Sequence, residues 1–168
     1  MIFYYLDASA WVKRYYQESG TAWMQALFSQ PLKLVCSSLG LIEVVATLAR
    51  KRKAGEIGSS FFAQKIEELE GDWRRFIHVQ LTLEAVDIAK EVARDHALRG
   101  ADAIHLGSAL MLRGRFQEEE DQLLFVTSDQ ELKGAAQSVG LSVSDPQEEE
   151  TVSSQPSEGE GEEDRGEE

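Results

Sequence analysis

The sequence predicts an α/β fold with three layers, α/β/α, around a central parallel sheet of about five strands. Short apolar runs of strand length recur along the 168 residues, and each gap between the first four runs is long enough for one or more helices. Strands that alternate with helices in this way favour a parallel sheet. With 42% hydrophobic residues the chain can bury one core and little more, so we expect one domain.

The strands are predicted from apolar runs of three to five residues. The clearest run covers residues 2–6, which are all apolar or aromatic and lead directly into Asp7. A run that is apolar on both faces is typical of a buried parallel strand, with Asp7 at its carboxyl end. The predicted strands are 2–6, 34–36, 76–79, 123–127 and 141–143.

Helical patterns fill the intervals between these strands, and glycines stand where the helices are expected to break. The segment 128–131, Ser-Asp-Gln-Glu, has the spacing of a capping box that would start the last helix. The predicted helices are 8–17, 21–29, 39–53, 56–74, 83–98, 101–113 and 129–138.

The acidic charge of the chain is concentrated at its C-terminal end. The net charge is −13, but the residues from Asp145 onward contain eleven acids and one base, which leaves only −3 for residues 1–144. This nearly balanced body does not argue against a nucleic-acid substrate. Beyond Ser144 the chain consists mainly of Pro, Ser, Gly, Gln and Glu, a composition that buries too little surface to offset the entropy of ordering. We therefore predict a folded domain at 1–145 and a disordered acidic tail at 146–168.

The cysteine content indicates a reducing compartment. Cys36 is the single cysteine, so an internal disulfide is excluded, and its apolar neighbours predict a buried strand position. The N-terminal apolar run lacks a preceding basic region and is broken by Asp7, so it does not resemble a signal peptide. No stretch reaches the roughly 20 apolar residues of a membrane span. We expect a cytoplasmic protein.

Four acidic residues lie at the ends of predicted strands or within apolar segments. Asp7 and Asp129 each follow a predicted strand, and the carboxyl ends of strands line the ligand crevice in open α/β sheets. Glu43 lies in a predicted helix that is apolar almost all round, and a buried carboxylate needs a partner. Asp102 opens a segment of small and apolar residues with few cations within sequence reach. One divalent ion would satisfy all four.

Oxygen ligands of this kind suit Mg²⁺ or Mn²⁺. Zinc is improbable, because the three histidines share no zinc-type spacing and only one cysteine exists. Carboxylate-held metals activate water and neutralise charge on a phosphodiester, so hydrolysis of a nucleic-acid backbone is the favoured reaction.

The four acids lie in segments that together resemble the PIN domain, and most closely the VapC-type toxin ribonucleases. The resemblance covers about residues 1–144 and excludes the tail. The segments are Leu6-Asp7-Ala8-Ser9-Ala10, Glu43-Val44-Val45, Arg99-Gly100-Ala101-Asp102-Ala103-Ile104-His105-Leu106 and Val126-Thr127-Ser128-Asp129.

The resemblance implies a PIN-type fold, Mg²⁺- or Mn²⁺-dependent endoribonuclease activity on RNA, and inhibition by a small antitoxin. By position, Asp7, Glu43 and Asp102 match the core acids of the family and Asp129 matches the fourth. We expect Asp7, Asp102 and Asp129 to hold the ion, and Glu43 to bind it or orient the attacking water. The expected products carry a 5′-phosphate and a 3′-hydroxyl.

Other residues have expected roles in or near this site. Thr127 and Ser128 match positions where the family often places a polar residue near the metal-bound water, and Ser9 could contact that water as well. The helices at 39–53 and 56–74 match the family's protruding clip, where antitoxins commonly dock. Phe61 and Phe62 are candidate antitoxin or dimer contacts there, and we expect a homodimer.

Each assignment has a structural alternative. An Asp at a helix start is more often a cap than a ligand, which applies to Asp7, Asp129 and Asp102, and Ser9 could equally be a cap. His105 is expected to be a hydrogen-bonded structural histidine rather than a substrate contact. Arg50 and Arg52 end the helix of Glu43, where they would either compensate the helix dipole or contact the RNA backbone.

Three other functions remain open from the sequence. One is a PIN-type ribonuclease in RNA processing outside a toxin system, and another is a non-catalytic nucleic-acid-binding module. An Asp after the first strand is also typical of aspartate-nucleophile phosphatases, but that chemistry usually has a second acid two residues later, where this chain has Ser9.

Overall fold

The structure is a computed structural model that describes residues 1–153, and it contains a central sheet of five parallel strands. The sheet order is β3-β2-β1-β4-β5, so the first strand lies in the middle. All four strand pairs are parallel, as the alternation of strands and helices predicted. The strands are β1 Ile2–Leu6, β2 Lys33–Ser37, β3 Ile77–Val79, β4 Gln122–Val126 and β5 Ser142–Ser144.

Helices connect and cover these strands within residues 1–153. A short 3-10 turn at Val12–Arg14 continues the first helix. The helices are α1 Ala8–Trp11, α2 Thr21–Phe28, α3 Ser38–Lys53, α4 Ser59–Trp73, α5 Leu83–His96, α6 Gly100–Arg113, α7 Gln130–Ser138 and α8 Pro146–Ser153. None of the helices in this part of the chain is both long and apolar enough to cross a membrane.

Two hydrophobic clusters cover the two faces of the sheet, which gives the predicted three layers. Successive side chains of a strand point to opposite faces. Tyr5 therefore packs into the cluster that includes residues of α5, α6 and α7. Its neighbour Leu6 packs into the other cluster, with residues of α1, α2, α3 and α4. Cys36 is fully buried in this second cluster, as predicted.

The first predicted helix, 8–17, is wrong in its length, because α1 ends at Trp11 and gives way to the 3-10 turn. Helix α4 begins at Ser59 rather than at 56, since the chain turns at Gly55, where φ is +76°. Glycine adopts this left-handed conformation without the steric clash of a Cβ. Helix α5 ends at His96, two residues earlier than predicted, because Ala97 is left-handed, with φ +52°.

The prediction of disorder from residue 146 is wrong for Pro146–Ser153, which form α8. Asp145 accepts a hydrogen bond from the Gln147 backbone N–H at 3.0 Å, and the acids of the first turn complement the helix dipole. The helix packs against α2, and the Gly20 N–H donates to Glu150. A short capped helix that docks on an existing surface needs few apolar residues, so composition alone missed it. The remaining tail, 154–168, lies outside the described residues.

Candidate active site

One cavity of about 390 Å³ is lined by all four acids, Asp7, Glu43, Asp102 and Asp129. The sheet order explains two of them, because β1 and β4 are adjacent and in register from Ile2–Gln122 to Leu6–Val126. Asp7 and Asp129 follow the carboxyl ends of these two strands. The third helix contributes Glu43 and the first turn of α6 contributes Asp102. The four acids that are far apart in sequence thus share one cleft at the carboxyl edge of the sheet.

Asp7 lies at the inner end of this cleft and is 2% exposed. Its Oδ1 accepts the Ala10 backbone N–H at 3.0 Å, and its Oδ2 accepts the Thr127 hydroxyl at 2.9 Å. The Ser9 hydroxyl donates to the same carboxylate, with Oγ 2.8 Å from each oxygen. Burial raises the pKa of Asp7, and the nearby His105 and these hydrogen bonds lower it in part. The residue caps α1 and faces the cavity at the same time, so the two sequence interpretations are compatible.

The three hydroxyl residues predicted near the site have different positions. Thr127 is fully buried and also accepts the Asp129 backbone N–H at 3.1 Å. Ser9 lines the cavity and accepts the Ser128 backbone N–H at 3.0 Å. The Ser128 hydroxyl instead donates to Asp145 at 3.1 Å and does not line the cavity. Ser9 and Thr127 therefore join the strand ends around Asp7, whereas Ser128 does not.

Asp102 and Asp129 lie nearer the cavity mouth and share one cation, Arg99. The guanidinium donates from Nε to Asp102 Oδ2 at 2.8 Å and from a terminal nitrogen to Asp129 Oδ2 at 3.0 Å. The other oxygen of Asp129, Oδ1, accepts the Leu132 backbone N–H at 2.9 Å and so caps α7. Asp102 is not a cap, because the N-cap position of α6 is Arg99. The sequence expectation of few cations near Asp102 was wrong, since Arg99 lies three residues before it.

Glu43 is held by a buried histidine. His105 Nε2 lies 2.6 Å from Glu43 Oε2, and His105 Nδ1 lies 3.2 Å from the Tyr5 hydroxyl. Because an ionised carboxylate only accepts hydrogen bonds, His105 Nε2 is the donor to Glu43. His105 is 1% exposed and hydrogen-bonded at both ring nitrogens, as expected, and it also lines the cavity. Its direct contact with Glu43 was not expected from the sequence.

A spacing of three residues could have revealed the contact between Arg99 and Asp102. Arg99, Asp102 and His105 are separated by three residues each, and residues three apart on a helix lie on the same side. The first of them is the N-cap residue of α6 and the others lie in its first two turns. The sequence expectations gave a role to Asp102 and to His105 but none to Arg99.

The two arginines predicted to contact RNA differ in position. Arg50 lines the cavity, and its guanidinium donates to Thr47 Oγ1 at 3.0 Å. The Arg52 guanidinium lies over the Phe62 ring, 4.1 Å from its centroid, and Arg52 does not line the cavity. Arg50 alone of this pair faces the acids.

The donor atoms of the cavity fit a hard divalent cation. Within residues 1–153, no three His, Cys, Asp or Glu side chains converge closely enough to hold a metal between them. The carboxylates of Asp102 and Asp129 nevertheless both bind the Arg99 guanidinium through Oδ2. This positive group takes the place that a metal cation would have between them. Mg²⁺ needs only one or two carboxylates and keeps several waters. The Oδ2 atoms of Asp102 and Asp129, with Asp7 in the same cavity, therefore match its requirements.

Comparison with known proteins identifies the family. The family model of the PIN domain matches residues 4–137. The ribonucleases VapC45 and VapC49 of Mycobacterium tuberculosis are each 39% identical to this chain over 106 residues, which make up 63% of this chain and 74% of each relative.

Solved structures share the fold at low sequence identity. PAE2754 from Pyrobaculum aerophilum has a TM-score of 0.64 and 18% identity, and the match covers 90% of this chain and 88% of that one. VapBC2 from Rickettsia felis, bound to a DNA fragment from its promoter, has a TM-score of 0.59 and 14% identity, with 86% and 98% of the chains covered. The family model covers most of the described residues, and the α/β/α architecture agrees with it. The chain belongs to the PIN domain family.

Proposed function

We propose that this PIN-domain protein is a metal-dependent endoribonuclease that hydrolyses RNA phosphodiester bonds, and that it is the toxin of a toxin–antitoxin pair. The observation that carries the proposal is one cavity at the carboxyl edge of the sheet that all four carboxylates line. The names of the relatives VapC45 and VapC49, both ribonucleases, support the same activity.

In this proposal Asp7, Asp102 and Asp129 hold Mg²⁺ or Mn²⁺. The bound ion would supply an activated water and neutralise charge on the phosphodiester. Ser9 and Thr127 fix the two oxygens of Asp7 in direction. His105 fixes Glu43, whose carboxylate orients the attacking water and accepts its proton.

The RNA enters from the open side of the cavity, where Arg50 lies. A positive side chain at this position contacts the phosphate backbone without reading sequence. Hydrolysis leaves a 5′-phosphate and a 3′-hydroxyl. The proposed place of action is the cytoplasm, in agreement with a single free and buried cysteine.

A small antitoxin is the proposed protein partner. Several structures with the same fold are toxin–antitoxin complexes, including one from Klebsiella pneumoniae, at a TM-score of 0.59. The hairpin of α3 and α4 is the proposed docking site, and it exposes 65% of Ile42 and 39% of Phe61. A homodimer is proposed as well.

The proposal is tested by incubating purified protein with structured and unstructured RNAs in Mn²⁺, Mg²⁺ or EDTA, followed by mapping of the cut ends. We expect metal-dependent cleavage that Asp7→Asn abolishes. The matched control is Asp87→Asn, which changes an exposed carboxylate on α5 whose partner is Lys90. Cleavage that survives in Asp7→Asn or in EDTA contradicts the proposal.

Turnover of phosphomonoesters, RNA binding without cleavage, and growth on expression separate the other interpretations. A phosphatase would turn over small phosphomonoesters, and a non-catalytic module would bind RNA without cutting it in any metal. A ribonuclease of RNA processing would cleave in the same way but would not inhibit growth when expressed alone, whereas a toxin would.

A further inference from the structure

We propose that Arg99 is an internal competitor for the metal position: its guanidinium occupies the place between Asp102 and Asp129 and must leave before a divalent cation can bind both carboxylates. This inference rests on the proposed function, because it assumes that the cavity binds Mg²⁺ or Mn²⁺. It adds a residue that sets the metal concentration at which the site fills.

The competition follows from which oxygens are used. Asp129 Oδ1 accepts the Leu132 backbone N–H and so caps α7, whereas Oδ2 makes no backbone contact of this kind within the described part of the chain. Arg99 binds that same Oδ2, together with Oδ2 of Asp102. A divalent ion that binds both carboxylates through their Oδ2 atoms therefore competes with Arg99 for those two atoms.

The chemistry of the guanidinium suits this role. Arginine stays charged at all relevant pH values, and its planar fork places two N–H groups towards two acceptors at once. The hydrogen bond to Asp102 raises the pKa of Arg99 further. The side chain thus supplies one positive partner to two acids at once.

The exposure of Arg99 makes its departure easy. The side chain is 73% exposed, compared with 13% for Asp102 and 25% for Asp129. Ion pairs of such exposed groups contribute little to stability, and water can solvate the guanidinium after it leaves. Arg99 is attached at the start of α6, so it remains near the cavity and can return.

Manganese titration of the full-length protein tests the competition. Calorimetry would measure Mn²⁺ affinity for the wild type, Arg99→Gln, Arg99→Lys and Arg50→Gln. The Arg50→Gln variant is the matched control, because it removes a positive charge from the same cavity, while among residues 1–153 the Arg50 guanidinium binds Thr47 and no carboxylate. We expect Arg99→Gln to bind Mn²⁺ about tenfold more tightly than the wild type, within the usual range of coupling between sites.

The other two variants define the size of the direct effect. Arg99→Lys keeps the charge but loses the planar fork, so its affinity should lie between those of the wild type and Arg99→Gln. Arg50→Gln should tighten binding much less than Arg99→Gln, because it changes only the general field. Addition of Mn²⁺ should also raise the melting temperature of Arg99→Gln by more than that of the wild type at equal metal concentration.

Unchanged or weaker Mn²⁺ binding in Arg99→Gln overturns the inference, as does a gain no larger than that of Arg50→Gln. If the wild type binds Mn²⁺ and the Arg99 variants do not differ from it, the inference alone fails and the proposed function stands. If no variant binds Mn²⁺ or Mg²⁺, both the inference and the metal-dependent function fail.

Discussion

At the inner end of the cavity Asp7 is held by Ser9 and by the buried Thr127, and we call these three residues the inner wall. The outer rim, formed by Arg99, Asp102 and Asp129, holds its acids in the opposite way. The inner wall is buried and surrounds Asp7 with hydroxyl and backbone donors that carry no charge. The outer rim is partly exposed and holds two acids with one flexible cation. The same residue type is therefore fixed by the fold at one end of the site and by a replaceable side chain at the other.

This difference has an energetic consequence. A buried carboxylate with neutral donors pays for its desolvation, which raises the pKa of Asp7. The rim acids instead face a charged partner, the Arg99 guanidinium. We infer that the inner wall determines where the reaction takes place and that the rim determines when the site is filled.

Replacing Asp7 by Asn should give the largest effect and should act on activity and stability in opposite directions. We expect RNA cleavage to fall by at least about a thousandfold, because no other carboxylate can replace one held by the strand ends. We expect the free energy of unfolding to rise at neutral pH in EDTA, since the desolvated charge is removed. In a chain of this size a gain of 1 kcal/mol would appear as a rise of about 2–4 °C in melting temperature.

The pH dependence of stability provides the check on this explanation. The pKa of Asp7 is raised in the folded protein, so its protonated form favours folding below the unfolded pKa, and that contribution is lost as the pH rises through the folded pKa. The stability of the wild type relative to Asp7→Asn should therefore decrease across this interval and stay constant above it. A difference that is constant at all pH values would contradict a buried, desolvated Asp7.

Replacing Asp102 by Asn should have the second-largest effect on activity and almost none on stability. Cleavage should fall by about a hundredfold, less than for Asp7, because Asp129 remains at the rim and can still face a cation. An asparagine oxygen can still accept from Arg99, and pairs with so exposed a partner contribute little to folding. Parallel thermal melts of Asp7→Asn and Asp102→Asn would show whether the two ends of the cavity differ as described; a rise in both would remove the distinction.

The sequence predicted the inner wall better than the rim, and the reason is physical. Asp7 and Thr127 follow apolar runs that could only be buried strands, and parallel strands bring their carboxyl ends to one edge. The strand order and the cavity that joins Glu43 to Asp102 depend on packing between distant segments, which the residue types do not encode locally. Arg99 was missed because exposed arginines usually have no fixed partner, and α8 was missed because its stability comes from docking on α2.

Replacing Thr127 by Val tests the hydroxyl support of the inner wall and should have an intermediate effect. The change keeps the shape but leaves Asp7 Oδ2 and the Asp129 backbone N–H each without this partner. Loss of a buried hydrogen-bond partner costs about 1–3 kcal/mol, and loss of a group that orients a ligand typically lowers activity about 10–100-fold. The matched control is Ser128→Ala, whose hydroxyl binds Asp145 outside the cavity. Equal losses of activity in both variants would show that Thr127 has no special relation to Asp7.

Replacing Arg50 by Ala should give the smallest effect, and it asks whether the rim extends to the substrate. RNA affinity is measured at several salt concentrations in the catalytically inactive Asp7→Asn background. The slope of log affinity against log salt concentration should become less steep by about 0.7, the value for one phosphate contact on a single strand. Arg52→Ala should change the slope less, because that guanidinium lies on the Phe62 ring away from the cavity. If both variants keep the wild-type slope, the two arginines only compensate the dipole of α3. If only Arg50→Ala lowers the slope, the RNA backbone binds on the open side of the cavity, where Arg99 leaves the acids and returns to them.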